Sequence, residues 1–279
     1  MCRDCGCEEA NHSAQGNASE SGEENVEHRH WVNGKWIQHS HRAEGAPATQ
    51  ARLGGAVHRM VPPRRISLEL SVLAKNDRIA QENRDWFETH RVQVMNLISS
   101  PGSGKTFLLE KTAQHFGKTA PARMAILTGD QEQDFDAQRL KAVGADVLQL
   151  NTQSACHLDA SMIQKQLGAF VLPEHRLLII ENVGNLVCPA SFDLGESMKV
   201  ALLSTPEGED KPSKYPLLFK EAGLIVITKM DLVPHLDWSL ELCEQHIRKV
   251  NPMARILLLS AKTGEGLPEW FDFLETCTA

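Results

Sequence analysis

From Val92 to the C-terminus, short apolar runs alternate with longer segments in which apolar residues recur every three or four positions. The short runs have the length of β-strands, and the longer segments have the periodicity of amphipathic helices. This alternation predicts an α/β fold with a mostly parallel seven-stranded sheet and helices on both faces. The predicted strands are VQVMNLI (92–98), MAILTG (124–129), DVLQL (146–150), RLLII (176–180), VALLS (200–204), LIVIT (224–228) and RILLLS (255–260).

The N-terminal part of the chain has a different pattern. Residues 8–62 are rich in Glu, Ser, Gly, Asn and His and poor in aliphatic side chains. Because this composition cannot bury enough apolar surface to fold alone, we expect a flexible linker there. Apolar residues at helical spacing in 66–88 predict a helix that leads into the main domain. We therefore divide the chain into an N-terminal tail with its linker, 1–62, and a main domain, 63–279.

One short segment of the linker is an exception. In HWVNGKW, at 30–36, the pair Asn33-Gly34 between alternating apolar residues indicates a β-hairpin. An isolated two-stranded hairpin is only marginally stable in water. Half of the 12 histidines of the chain also fall in the linker, and we interpret them as solvated residues with incidental metal affinity. They are His12, His28, His30, His39, His41 and His58.

Charge and hydropathy exclude two classes of partner. The formal net charge of −7 argues against nucleic acid, because the neutralisation of phosphates requires a basic stripe. No apolar run is long enough to span a membrane. The N-terminus is polar and lacks the apolar core of a signal peptide. We therefore expect a cytoplasmic protein with neither nucleic-acid nor membrane partners.

The segment SSPGSGKT, at 99–106, lies between a predicted strand and a predicted helix, which is the context that a phosphate-binding P-loop requires. Lys105 is expected to reach the β- and γ-phosphates, and the Thr106 hydroxyl to bind Mg²⁺. Ser99 stands where the motif usually begins with glycine, but the remainder of the motif is intact. The residues expected to bind the phosphates are Gly102, Ser103, Gly104, Lys105 and Thr106.

Two motifs indicate which base is bound. TKMD at 228–231 and SAK at 260–262 each lie at the end of a predicted strand, and both resemble signatures of GTPases. In GTPases the aspartate accepts two hydrogen bonds from guanine, the lysine stem packs along the base, and the SAK backbone contacts the guanine oxygen. Adenine offers no such pair of donors, so GTP is favoured over ATP. The residues expected to bind guanine are Lys229, Asp231, Ser260, Ala261 and Lys262.

Acidic residues at strand ends are the candidate catalytic carboxylates. The strand RLLII runs directly into Glu181, which is a Walker B arrangement suited to hold the magnesium shell or orient the attacking water. Asp130, at the end of MAILTG, is a second magnesium candidate, and Asp134 and Asp136 are close enough to compete for that role. Lys105, Asp130 and Glu181 are the predicted catalytic residues.

Cysteine placement predicts two metal sites. In a reducing compartment, seven cysteines argue for metal binding or reactivity rather than disulfides. One cluster lies at the N-terminus, and a second follows two predicted strands whose carboxyl ends meet at one edge of the sheet. Three ligands per chain are few for a closed site, so a dimer that shares the ion, or a water, would complete the second one. The clusters are Cys2, Cys5 and Cys7, and Cys156, His157 and Cys188.

With these motifs in place, the chain resembles the HypB family of hydrogenase maturation nickel GTPases, in the SIMIBI class of dimerising P-loop GTPases. The segments that carry the resemblance are MCRDCGC, VLAKNDRIAQENR, SSPGSGKT, GDQEQDFDAQRL, CHLDA, ENVGNLVCPA, EGEDKPSKYP and TKMDLVP. The resemblance implies a GTP-hydrolysing nickel metallochaperone that inserts nickel into [NiFe]-hydrogenase, in which the nucleotide gates metal binding and dimerisation.

The resemblance also implies ligands and partners. It implies a tight nickel site at Cys2, Cys5 and Cys7 and a weaker Ni²⁺ or Zn²⁺ site at the second cluster. The partners it implies are a second copy of the chain, a HypA-family nickel protein and the hydrogenase large-subunit precursor. For the tail, Ni²⁺ favours square-planar nitrogen and sulfur ligands. If Met1 is removed, the Cys2 amine and three thiolates would supply them; a zinc-binding tail is the alternative.

Three other functions remain open from the sequence. A small-molecule kinase would share the P-loop but gives no role to TKMD or SAK. A non-enzymatic nickel or zinc buffer would need only the tail and linker. A urease-type nickel GTPase is the nearest alternative, although the N-terminal cysteines and ENVGNLVCP favour the hydrogenase branch.

Overall fold

A computed structural model describes residues 25–32, 35–42, 63–119, 124–130, 135–152, 156–172 and 174–278. The described residues belong to two compact units, a small hairpin and a larger α/β domain. In the hairpin, strand β1 (Asn25–Val32) pairs with strand β2 (Lys35–Arg42) in antiparallel orientation, with Val32 opposite Lys35. The hairpin predicted around Asn33-Gly34 is therefore confirmed, and its strands extend well beyond 30–36.

The larger domain is built on one sheet of seven strands, all of them parallel. The order across the sheet is β5-β4-β6-β3-β7-β8-β9. All seven strands predicted from the sequence are present, so the α/β fold is confirmed. The strands are β3 (Gln93–Ser99), β4 (Met124–Asp130), β5 (Asp146–Asn151), β6 (Leu177–Glu181), β7 (Met198–Ser204), β8 (Leu224–Thr228) and β9 (Arg255–Leu258).

Helices cover both faces of this sheet. The predicted leading helix is confirmed as α1, which begins slightly earlier and ends slightly later than 66–88. Among the described residues, no helix is long and apolar enough to cross a membrane. The helices are α1 (Pro63–His90), α2 (Lys105–Thr119), α3 (Phe135–Ala142), α4 (Ala160–Gln164), α5 (Cys188–Ser191), α6 (Lys211–Lys214), α7 (Pro216–Glu221), α8 (Leu240–Val250) and α9 (Leu267–Thr278), with 3₁₀ turns at Thr205–Glu207 and Met230–His235.

The continuous apolar runs of the strands follow from this two-sided cover. In β3, Leu97 packs with the core of α2 and α9, whereas Ile98 packs on the opposite face with α7 and α8. Alternate residues of a strand point to opposite faces, so a strand covered on both sides must be apolar throughout. β6 and β8 are buried at every position for the same reason.

The strand order determines where a ligand can bind. β3 is the central strand, and the chain leaves it on one side to form β4 and β5 before β6 returns beside it and β7 starts the other half. Such a switch in strand order leaves a crevice at the carboxyl ends of the strands. The loops after β3, β6 and β8, which carry the predicted nucleotide motifs, all leave the sheet at this edge.

Candidate nucleotide and metal site

The P-loop connects the central strand β3 to α2. Gly102 and Gly104 have φ values of +74° and +99°, a region that strongly favours glycine. Lys105 is buried, and its Nζ donates a hydrogen bond of 2.8 Å to Ser99 Oγ. Burial lowers the pKa of Lys105, and the charge of Glu181 opposes this effect. The serine at the position of the usual first glycine thus holds the P-loop lysine.

A cavity of about 520 Å³ lies beside this loop. Among its lining residues, Thr106 Oγ1 donates a hydrogen bond of 2.7 Å to Glu181 Oε1. Burial raises the pKa of Glu181 to about 7, against the opposing effects of the Thr106 hydrogen bond and the Lys105 charge. Within the described part of the chain, Glu181 Oε2 is buried without a hydrogen-bond partner. A hydroxyl and an unsatisfied carboxylate oxygen side by side fit the oxygen ligands that Mg²⁺ prefers.

Of the other acidic candidates, Asp136 lines the cavity, whereas the side chains of Asp130 and Asp134 are not described. Asp136, at the start of α3, lines the cavity together with Arg139, which forms an ion pair of 2.8 Å with Glu110. Asp130 ends β4, but its side chain lies outside the described part of the chain, as does the whole of Asp134. Arg139 lines the cavity and was not among the predicted site residues.

A second cavity, of about 320 Å³, adjoins the first across the P-loop, because Gly104 and Phe107 line both. The TKMD and SAK motifs meet in its wall, where Ser260 Oγ donates a hydrogen bond of 2.6 Å to Asp231 Oδ1. Lys229 adopts a left-handed backbone conformation and its Nζ donates to Gly102 O, at 2.6 Å. The two cavities together fit a nucleotide with its phosphates in one and its base in the other. The predicted base-binding residues that line the second cavity are Lys229, Asp231, Ser260, Ala261 and Lys262.

The second predicted metal cluster is also brought together. The ligand atoms of Cys156, His157 and Cys188 all lie within 4.8 Å of one another, and all three residues are half-buried. The His157 ring lies against the Phe192 ring, with 3.8 Å between centroids. Burial lowers the pKa of His157, against the charge of Asp159, which favours the neutral imidazole that binds metals. Two sulfurs and one nitrogen form a donor set that suits Zn²⁺ or Ni²⁺.

Three asparagine side chains connect the segment of Cys156 and His157 with the nucleotide loops; Asn96 and Asn182 are buried and Asn185 is half-buried. Asn182, directly after Glu181, accepts a hydrogen bond of 3.3 Å from Leu158 N and donates one of 3.1 Å to Asn96 on β3. Asn185 Nδ2 donates to Cys156 O, at 3.5 Å. Asn182 and Asn185, which lie between Glu181 and Cys188 in the sequence, are therefore hydrogen-bonded to the segment that carries Cys156 and His157.

The loop that contains Asn182 also packs closely on the P-loop. A Cβ atom added at Gly184 would lie 3.0 Å from Pro101 Cα, which is closer than such atoms normally approach. Beyond this loop, Asn83 of α1 joins two other segments, because its Nδ2 donates to Ala160 O at the start of α4 and to Leu194 O after α5. These asparagines were not among the predicted site residues. The sequence shows them as polar residues on the apolar face of α1 and directly after Glu181, but not which partners they bind.

The N-terminal cysteine cluster is not part of this geometry. Cys2, Cys5 and Cys7 lie outside the described residues, so the predicted tail site stays a prediction. In the residues that the structure describes, Cys156, His157 and Cys188 are the group of three or more potential ligands that lie close enough to hold one ion.

Comparisons with known proteins agree with this architecture. The CobW/HypB/UreG nucleotide-binding domain matches residues 93–258. The hydrogenase maturation factor HypB of Azotobacter vinelandii is 50% identical over 212 residues, which cover 76% of this chain and 69% of that protein. The crystal structure of HypB from Archaeoglobus fulgidus is 37% identical, with a TM-score of 0.69 over 74% of this chain and 100% of that one.

A second solved structure gives the same result. The crystal structure of HypB from Helicobacter pylori in complex with nickel is 39% identical, with a TM-score of 0.66, and covers 72% of this chain and 94% of that one. The family match spans the P-loop, the Glu181 strand and the loops that carry Cys156, His157 and Cys188. The chain belongs to the HypB family of hydrogenase maturation factors.

Proposed function

We propose that this protein is a GTP-hydrolysing nickel metallochaperone that inserts nickel into [NiFe]-hydrogenase, and that its nucleotide state controls both metal binding and dimerisation. The observation that carries this proposal is the Asn182 side chain, which follows Glu181 in the nucleotide cavity and accepts a hydrogen bond from the residue after His157. A change at the nucleotide is thereby transmitted to a metal ligand over a short path.

In the nucleotide site, Lys105 and the N-terminus of α2 bind the phosphates, and Asp231 with Ser260 selects guanine. Thr106 and Glu181 would hold Mg²⁺, with Asp130 as a further ligand. When bound, Mg²⁺ neutralises charge on the phosphate oxygens. Glu181 must be ionised to act in this way, and the charge of Lys105 favours the ionised form. The reaction is hydrolysis of GTP to GDP and phosphate by a water that Glu181 orients.

Nickel is the cargo in this proposal. Support comes from the two-sulfur, one-nitrogen donor set of Cys156, His157 and Cys188, and from the HypB of H. pylori, which was crystallised in complex with nickel. Three protein ligands leave coordination positions open, and a second copy of the chain or a water fills them. Zn²⁺ is expected to bind the same donors.

The N-terminal tail completes the proposed delivery route. Cys2, Cys5 and Cys7 hold nickel tightly, and the linker lets the tail exchange metal with other sites. A HypA-family nickel protein and the hydrogenase large-subunit precursor are the proposed partners in this exchange, in the cytoplasm. Neither nucleic acid nor a membrane has a role in it.

Base selection by Asp231 provides the test. Asp231→Asn exchanges a carboxylate acceptor for an amide, which should reduce hydrolysis of GTP and increase that of xanthosine triphosphate, whose base presents the complementary group. Hydrolysis of both nucleotides should be measured for the wild type, for this variant and for Asp237→Asn, a nearby exposed aspartate, as the control. If Asp231→Asn keeps the wild-type preference for GTP, as Asp237→Asn should, Asp231 does not select guanine. If the wild type does not hydrolyse GTP, the GTPase assignment fails.

A further inference from the structure

Three polar side chains, those of Glu196, Asn96 and Asn182, form a continuous line of hydrogen bonds across the sheet. Glu196 Oε1 accepts a bond of 3.2 Å from Asn96 Nδ2, and Asn96 Oδ1 accepts one of 3.1 Å from Asn182 Nδ2. All three residues are buried. The line thus runs from the segment before β7, across β3, to the loop that follows Glu181.

Both ends of this line meet backbone N–H groups, which can only donate. At one end, Leu194 N donates a hydrogen bond of 2.6 Å to Glu196 Oε2. At the other end, Leu158 N and Val183 N donate to Asn182 Oδ1, at 3.3 Å and 3.0 Å. An ionised carboxylate only accepts hydrogen bonds, whereas an amide side chain accepts with its oxygen and donates with its nitrogen.

Between two donor ends, the line needs one carboxylate and no more. Glu196 offers an oxygen on each side, so Asn96 turns its nitrogen toward Glu196 and its oxygen toward Asn182. Asn182 can then keep its own oxygen for Leu158 N. With Glu196→Gln, three amides would lie between the two ends, and two donors would face each other at one point whichever way the amides turned. A buried polar group left without its partner destabilises the protein.

We propose that Glu196 is a positioning residue, which sets the direction of the hydrogen bonds through Asn96 and Asn182. It thereby holds the Asn182 oxygen on the residue that follows His157, a predicted metal ligand. Glu196 is not among the residues that line the nucleotide cavity, so it acts through the two asparagines. The part of Glu196 in nucleotide control of nickel rests on the proposed function, whereas the direction of the line does not.

Moving the carboxylate from one end of the line to the other tests the proposal. Asn182→Asp adds a second carboxylate and Glu196→Gln removes the first, so each change alone should lower the urea midpoint of the full chain. Together they restore one carboxylate, because the new amide can donate to Asn96 Oδ1 while Asn96 Nδ2 donates to the new carboxylate. The double variant should therefore regain most of the midpoint lost by Asn182→Asp, although the two positions are joined only through Asn96.

These measurements are made at pH 8 with EDTA present. Burial raises the pKa of Glu196, against the hydrogen bonds that it accepts from its own backbone and from Leu194 N, and the line requires the ionised form. Asn182→Asp with Glu207→Gln is the matched control, since it makes the same change of charge but leaves Glu196 in place. Equal recovery with Glu207→Gln, or no recovery with Glu196→Gln in a folded double variant, would overturn the proposal.

Hydrogen exchange of the Leu158 amide, followed by NMR, requires only the Glu196→Gln variant. This amide should exchange at least about tenfold faster than in the wild type, relative to the other buried amides. Asn251→Ala, which removes side-chain hydrogen bonds to Phe219 O and Ala222 O, should not single out Leu158. Unchanged relative exchange of Leu158 in Glu196→Gln would overturn the proposal even if Asn182→Asp does not fold.

Nickel binding with GDP and with a GTP analogue tests the functional consequence. Glu196→Gln should show a smaller nucleotide effect on nickel affinity than the wild type. A full effect in this variant would overturn the role of Glu196 in nucleotide control. The absence of any effect in the wild type would instead overturn the proposed function, and the unfolding and exchange results would still decide whether Glu196 sets the direction of the line.

Discussion

Glu181 illustrates at the scale of one residue how burial sets the chemistry of the site. Its carboxyl ends a strand that is buried at every position, and burial raises its pKa to about 7. Thr106 satisfies one of its oxygens, while the other has no hydrogen-bond partner in the described chain. Without a cation this arrangement destabilises the protein, because a buried charge lacks full compensation. The residue is thus poised to gain from a bound Mg²⁺.

The raised pKa of Glu181 predicts how the stability of the protein depends on pH in the absence of metal and nucleotide. The pKa of Glu181 is raised from 4.5 to about 7, so in this pH range the folded state holds more protons than the unfolded state. The free energy of unfolding should therefore fall as the pH rises through the range, by about 3 kcal/mol at most, and level off above it. Glu181→Gln should remove this fall.

Urea unfolding of the wild type and of Glu181→Gln between pH 5 and pH 8, with EDTA present, measures the effect. The stability of the variant relative to the wild type should increase steadily with pH. Glu174→Gln, at an exposed position, is the control and should follow the wild type. A difference between Glu181→Gln and wild type that stays constant with pH would contradict the buried, raised-pKa carboxyl.

At the scale of elements, the loop from β6 to α5 is the connection between the two sites. It begins after Glu181, packs on the P-loop at Gly184 and ends in Cys188 at the start of α5. Asn182 bonds it to the segment of His157 on one side and to Asn96 on the other. Because both asparagines are fully buried, their hydrogen bonds leave little freedom for one loop to move without the other.

We predict that Asn182→Ala weakens the link between the loops. It leaves Leu158 N and Asn96 Oδ1 without this partner, which should cost about 1–3 kcal/mol of stability. It should also reduce the effect of nucleotide on nickel affinity at Cys156, His157 and Cys188. Equilibrium dialysis of nickel with GDP and with a non-hydrolysable GTP analogue measures that effect.

Asn251→Ala is a matched control for loss of stability. Asn251 Nδ2 also donates to backbone carbonyls, Phe219 O and Ala222 O, both at 2.9 Å, but it lies away from both sites. It should lower stability by a similar amount and leave the nucleotide effect on nickel intact. Equal nucleotide effects in Asn182→Ala and the wild type would show that Asn182 does not transmit the change.

At the scale of the whole molecule, the proposed function makes nucleotide and metal two ligands of one protein, and each should then alter the affinity of the other by the same factor. Such coupling is typically about 5–150-fold in affinity. We predict a change of this size in nickel affinity between the GDP and GTP-analogue states, with the reciprocal change in nucleotide affinity. Cys2, Cys5 and Cys7 should be replaced by Ser, so that the second cluster alone is measured.

Sedimentation in the same samples should show more dimer with the GTP analogue and nickel together than with either alone. Lys105→Ala, which removes the lysine of the P-loop, is the control and should abolish the difference between nucleotides. Equal nickel affinity in the two nucleotide states would exclude equilibrium coupling, and a monomer under all conditions would exclude an ion shared between two copies.

The sequence by itself determined the features that depend on neighbouring residues. The seven strands, the P-loop and the TKMD and SAK motifs were predictable, because apolar runs and short motifs encode them within a few positions of the chain. The helix α1 was predictable from the same kind of pattern. Its asparagines were not understood, because Asn76 and Asn83 are buried only through partners, Ala160 and Leu194, that lie far along the chain.

Only the tertiary structure determined which residues from distant parts of the sequence lie together in one site. Cys156 and Cys188 meet because β6 inserts between β3 and β4, an order that depends on packing of the whole sheet. Composition shows that the ligands exist, but long-range pairing determines which of them share a site.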